Sequence, residues 1–243
     1  MEYQHKAAGL IENGSRVIVA DQSVAVAIRY KGSQPSATVT VVSATSMTLK
    51  HGTAGSETGD TTVGSSGVLA FSTYSTLGAL VDEINRGGNW QAEIVDGLRS
   101  DATTGSTLLA RSETTITPKT QVLDCYWDTS AKLSLDVAIS SRRSNFNKTR
   151  KGKVAVFQQA RCLVDISSGT LTLYIYDVDK ARSTATLLAT FAGTDATELS
   201  ALIAGGNGVL RSSVGNDLLV RYVGSANLPD TGAYLNVAGY IEA

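Results

Sequence analysis

A side-chain nucleophile needs a base within reach, and a resident metal needs three or four donors at ligand spacing. The chain offers two histidines, His5 and His51, and two cysteines, Cys125 and Cys162. Neither cysteine has a histidine beside it; each lies within a predicted strand and reads as a buried free thiol. His5, in an N-terminal stretch, and His51, at the head of a glycine-rich stretch, read as surface residues. Gly64-Ser-Ser-Gly67 lacks the spacing of a Gly-x-Ser-x-Gly elbow. Gly205-Gly-Asn-Gly208 follows a predicted helix, so no helix dipole stands behind its N–H groups to hold a phosphate, and it reads as a helix stop. Asp177 and Asp179 flank Val178 without the glycine and glutamate of a calcium loop and read as turn residues. Asp82 and Glu83 fall on the polar face of a helix, and Trp90 and Trp127 read as core or interface aromatics. The sequence therefore names no catalytic, cofactor-binding or metal-binding residue. It predicts a protein that is not an enzyme and needs no cofactor.

The chemistry that remains is that of contact. Between Ser140 and Lys153 stand Arg142, Arg143, Lys148, Arg150, Lys151 and Lys153, with no acidic residue among them. The whole chain holds 21 basic and 22 acidic residues, so positive charge is concentrated in this one stretch. It reads as a solvated linker able to dock on an acidic protein surface such as a capsid shell. Nucleic acid is not expected as a partner, because interleaved aromatics are scarce and no nucleic-acid-binding motif is present. A second contact element is His51 to Gly67, where five glycines sit among Ser, Thr and acidic residues. With little apolar surface to offset its ordering entropy, this stretch is predicted to be a long exposed loop or hairpin tip. His51, Gly55 and Gly59 join the six basic residues as candidate partner contacts.

The elements that position these stretches are strands and two short helices. Leu77, Leu80, Val81 and Ile84 recur at helical spacing, which predicts a helix over 75–86. Leu199, Leu202 and Ile203 repeat three of those positions, and Asp195 with Glu198 has capping-box spacing, which predicts a second helix over 195–204. Each ends at Gly-Gly-Asn. Around them, Ser46 to Lys50 matches Gly169 to Tyr174, and Asp128 to Ile139 matches Asp230 to Ile241. Three landmarks in one order predict a tandem duplication.

Length and composition fit that reading. The chain has 243 residues, 42% hydrophobic and 18% charged, enough for two ordinary domains. It has 23 Gly but only 3 Pro and 2 Met, and abundant Ser, Thr and Val, which suits strands joined by tight turns. The expected organisation is an N-terminal arm (1–23), a β-rich domain (24–140), the basic linker (141–153) and a repeated β-rich domain (154–243). The arm is expected to add one strand or to reach a neighbouring subunit. No signal peptide and no membrane span are expected; Val17 to Ala20 is too short an apolar run for either.

Residues 68–98 carry a resemblance. Val68-Leu-Ala-Phe71, a helix with Thr76-Leu77 at its start and Ile84-Asn85 near its end, and Trp90 to Val95 resemble the small strand–helix–strand unit of phage tail-sheath proteins and the flagellar hook IN motif. The resemblance transfers no catalytic residue, and the second copy has Ile203-Ala204 where the first has Ile-Asn. It implies building material for a particle. The expectation is a mainly β protein of two tandem, similar β-sandwich or barrel-like domains, each with one short helix. Its expected role is in a tailed-phage virion, made in the host cytoplasm, as a capsid decoration or cement protein. A homotrimer of duplicated chains would match a hexameric ring. Alternatives are a tail-tube or tail-completion protein forming a pseudo-hexameric ring, and a carbohydrate- or receptor-binding module.

Overall fold

Short runs of Val, Ile, Leu and Thr broken by Gly, Ser and Asp favour strands closed by tight turns, and the chain is mainly β. The computed structural model describes residues 13–19, 23–104, 107–128, 134–139, 154–163, 171–193, 199–202, 210–224 and 234–242. The elements run β1 (Asn13–Val19), β2 (Val24–Tyr30), β3 (Ser36–Val42), β4 (Ser46–Thr53), β5 (Ser56–Gly59), β6 (Val68–Ala70), α1 (Leu77–Arg86), β7 (Trp90–Ile94), β8 (Arg111–Ile116) and β9 (Leu123–Tyr126). They continue as β10 (Ser134–Ile139), β11 (Val154–Leu163), β12 (Leu171–Val178), β13 (Ala185–Gly193), β14 (Leu199–Leu202), β15 (Leu210–Arg211), β16 (Asp217–Gly224) and β17 (Tyr234–Glu242). Every described strand pairing is antiparallel.

The chain forms two compact units. One is continuous, residues 24–131; the other combines residues 1–23 with 132–243. In the continuous unit β7-β2-β9 make one sheet, and β5-β4-β3-β8, with β6 on β4, make another. Side chains of both sheets and of α1 enter one β-sandwich-like core that includes Ile28, Val39, Leu49, Phe71, Leu80, Trp90 and Trp127. β2 is buried on both faces: Val26, Ile28 and Tyr30 enter this core, and Ala27, on the other face, is equally covered.

α1 forms where the apolar spacing places it, and Leu77, Leu80, Val81 and Ile84 are its buried stripe. Its first turn leaves few donors open: the Thr76 hydroxyl accepts from Ala79 N, and the Asp101 and Arg99 carbonyls accept from Leu77 N and Gly78 N. Asn85 ties the helix to β7, its Nδ2 donating to Ala92 O at 3.0 Å and its Oδ1 accepting from Ala92 N at 2.9 Å. The Ile-Asn pair thus has a local physical role, one residue in the core and the next clamped to a strand backbone.

The discontinuous unit has sheets ordered β1-β17-β11-β14, with β15 on β11, and β10-β16-β12-β13. The arm contributes a strand: β1 lies along β17 from Asn13 opposite Tyr240 to Val19 opposite Tyr234. One expectation is corrected here. Leu199 to Leu202 is not helix but strand β14, paired with Gln159 to Cys162 of β11. Three apolar positions and one missing turn leave an isolated helix below the length that sustains itself, and pairing with the edge of a ten-residue strand supersedes that weak signal. Of the stretches matched in sequence, β10 and β17 fall in the same unit, in different sheets. The two units have different strand orders and different helix content among the described residues.

Candidate functional site

A carboxylate with no water around it must be met by donors, and Asp60, 1% exposed, is met by four. Its Oδ1 accepts from Thr62 N at 2.8 Å and Thr62 Oγ1 at 2.6 Å. Its Oδ2 accepts from Trp90 Nε1 at 2.9 Å and Asn89 Nδ2 at 3.1 Å, and His51 Nε2 lies 3.3 Å away. Burial pushes the Asp60 carboxyl upward, but the hydrogen bonds from Thr62, Asn89 and Trp90 outweigh it and hold the group below its ordinary range. Tyr30 closes the cluster, stacked on His51 at 5.6 Å and edge-on to Trp90 at 4.9 Å. Burial of Tyr30 keeps its phenol above the usual value.

This cluster sits at the root of the β4–β5 hairpin, and the local chain is shaped to admit it. Asp60 N donates to Leu49 O and Leu49 N to Gly67 O, which folds the residues after β5 back onto β4. Gly59 and Gly67 are required by contact: a Cβ on Gly59 would stand 2.0 Å from Ser66 O, and one on Gly67 2.3 Å from Leu49 O. The expected exposed loop is therefore half right. The β4–β5 turn is a hairpin tip, with Thr53 to Ser56 exposed, but residues 60–67 are ordered around Asp60 and the fully buried Val63. Fixed hydrogen bonds supply what apolar surface does not.

The site residues read from the sequence separate accordingly. Gly55 lies at the hairpin tip with φ +79°, and a Cβ there would meet open space. Gly59 is packed at the hairpin base. His51 is mostly enclosed, its side chain 22% exposed between Tyr30 and Asp60. Arg142, Arg143, Lys148, Arg150, Lys151 and Lys153, and with them the linker, lie outside the described residues except Lys153's neighbour Val154 onward. His5 also lies outside them. Sequence reasoning missed Asp60, Asn89 and Tyr30. The signal available was an Asp-Thr-Thr after the glycines and an aromatic at facing ends of two strands, Tyr30 opposite Trp90.

His51 and Asp60 are two members of a hydrolytic triad in type, yet the geometry turns them inward. The imidazole Nε2 points at Asp60, and among the described residues no hydroxyl or thiol lies within hydrogen-bond distance of His51 to serve as nucleophile. Cys125 is buried in the same unit, and burial pushes its thiol up to about 12, far from thiolate chemistry. Asp177 accepts from Ser213 N and Oγ, and Asp179 from Ser183 and Thr184, both as turn-fastening carboxylates. Trp90 and Trp127 are core residues, with Trp127 Nε1 donating to Asp96 O at 2.6 Å. Among the described residues no three His, Cys, Asp or Glu side chains converge as metal ligands, and no helix is long and apolar enough to cross a membrane.

Comparison with known proteins adds little. No family model and no curated protein matches the chain. Two solved structures of infectious bursal disease virus align, the Gx strain at 12% identity and TM-score 0.18 and the Gt strain at 12% identity and TM-score 0.15. They cover 95% and 96% of this chain, which spans 57% and 63% of theirs. Neither score reaches that of a shared fold.

Proposed function

We propose that the chain is a structural protein of a virus particle, most specifically a capsid decoration protein of a tailed phage that stabilises the shell by bridging its subunits. The observation that carries this reading is the β4–β5 hairpin. Its tip, Thr53 to Ser56, is exposed and polar, while its root is fixed by the four donors on Asp60, with His51 beside them. A projection that is ordered before it binds loses little conformational freedom on docking. A subunit held across two shell subunits stabilises both by mass action. The basic stretch 141–153 supplies a second, electrostatic contact to an acidic shell surface.

The test is co-sedimentation of the purified chain with preformed capsids, followed by electron microscopy. Saturable binding that weakens as salt rises, and weakens further in Ala54→Glu at the hairpin tip, is the expected result. Rings or tubes formed by the chain alone, with no capsid binding, would favour the tail-tube reading. The carbohydrate- or receptor-binding reading has one observation of its own. The rings of Tyr174 and Tyr176 lie side by side at 6.1 Å, both partly exposed, on one face of the β10-β16-β12-β13 sheet. Glycan-dependent retention abolished by Tyr174→Ala would select it.

A further inference from the structure

A strand at the edge of a sheet presents a row of unpaired N–H and C=O groups, and stable proteins blunt such edges with charge, brevity or proline. The edge strands here do so with one exception. β8 carries Arg111 and Glu113, β7 carries Glu93, β9 Asp124, β10 Asp136 and β1 Arg16. β5 and β14 are four residues long. β13 is nine residues, Ala-Thr-Leu-Leu-Ala-Thr-Phe-Ala-Gly, with no charge and no proline. Among the described residues it has a strand partner on one side only, β12. Leu187 on this strand is 50% exposed.

We infer that β13 is a self-association edge, pairing antiparallel with β13 of a second copy of this chain about a twofold axis. Antiparallel pairing of one strand with itself is what a twofold permits, and an uncharged edge sets no like charges against each other at the axis. One extra residue bulges β13 near Leu188, between the pairs Ile175–Ala189 and Tyr176–Leu187. The bulge twists that end away, so the straight segment Ala189 to Gly193 is the pairing segment. Thr190, exposed and opposite Tyr174, then lies close to the axis, on the same face as Leu187. The paired sheets would run on as one. This inference stands apart from the capsid reading: it concerns the purified chain alone, and its failure would leave capsid binding by the hairpin untouched.

The experiment is sedimentation equilibrium of the full chain, wild type against Thr190→Lys and Thr190→Glu, with circular dichroism to confirm that each folds. The wild type should dimerise, each variant alone should dimerise about tenfold more weakly or worse, and an equimolar mixture of the two should recover the dimer, because only an axis beside Thr190 brings Lys and Glu together as diagonal neighbours. If Thr190 variants do not fold, hydrogen exchange of the wild type serves instead: the amides of Ala189 to Gly193 should gain protection as protein concentration rises, and protection independent of concentration would overturn the inference. A monomeric wild type, a variant that dimerises as well as wild type, open-ended assembly in place of a dimer, or a mixture that fails to recover it would each overturn the inference.

Discussion

The two units bury acid groups in opposite ways. In residues 24–131, Asp60 is met chiefly by neutral donors: two from Thr62, one each from Asn89 and Trp90, with His51 beside them. In the discontinuous unit two buried carboxylates, Asp217 and Asp136, meet guanidinium groups. Asp217 and Arg182, 0% and 2% exposed, lie 3.1 Å apart, and Asp136 takes a bidentate pair from Arg221 at 2.8 Å on each oxygen. A carboxylate ringed by neutral dipoles keeps its charge through geometry, so every donor must be placed by the fold. A carboxylate facing a guanidinium carries its own neutralisation but binds the stability of each residue to the other. The first arrangement suits a fixed platform under a projecting hairpin. The second suits a sheet assembled from distant stretches of chain, since Asp136 and Arg221 are 85 residues apart.

That contrast is broken most severely at Asp217. Asp217→Ala leaves the Arg182 guanidinium buried without this carboxylate, a loss of about 3–5 kcal/mol. Urea denaturation followed by far-ultraviolet circular dichroism should show an early transition for the discontinuous unit. The double variant Arg182→Met with Asp217→Leu should recover much of it, because removing both charges removes the desolvation problem as well. A double variant as unstable as the single one would mean that the two charges act through other neighbours.

Asp60 gives the next effect. Asp60→Ala strands several donors at once and should destabilise the continuous unit by about 3 kcal/mol. Both tryptophans of the chain, Trp90 and Trp127, lie in this unit, so tryptophan fluorescence reports on it alone. The pH dependence follows from the direction of the shift. Asp60 binds its proton less readily folded than unfolded, so its stabilisation is complete above the ordinary value of 3.8 and is lost as pH falls through the lower folded value. Acid should therefore weaken the wild-type fluorescence transition more steeply than that of Asp60→Asn. Equal slopes would show that Asp60 is not the group whose protonation matters.

These two regions also differ in how much of them the sequence made legible. The mainly β class, α1 and the alternating strands could be read because each rests on local periodicity, which burial then follows: Leu77, Leu80, Val81 and Ile84 are inside as their spacing demands. The second helix could not, because Leu199 to Leu202 takes its form from β11, some 40 residues earlier, and no local pattern encodes that partner. The Asp60 cluster was hidden for the same reason. Thr62 is local to it, but Asn89 and Trp90 come from 29 and 30 residues away, across the helix. Its glycines looked like loop material, whereas Gly59 and Gly67 are there so that backbone can pass close to backbone. The expected duplication rests on short segments with strand composition, and composition of that kind recurs wherever a β protein makes strands.

Asn85 provides the mildest and most local test of that difference. The side chain is exposed apart from its two hydrogen bonds to Ala92, so replacing it should cost about 1 kcal/mol, well short of the Asp60 effect. The loss should appear in tryptophan fluorescence, because β7 begins at Trp90 and pairs with β2 in the same unit. Asn85→Asp keeps an acceptor for Ala92 N but loses the donor to Ala92 O, and should fall between wild type and Asn85→Ala. An Asn85→Ala protein as stable as wild type would mean that the buried stripe alone, Ile84 included, holds α1 on its strand. The helix would then owe its place wholly to periodicity, the one feature the first helical stretch had in fuller measure than the second.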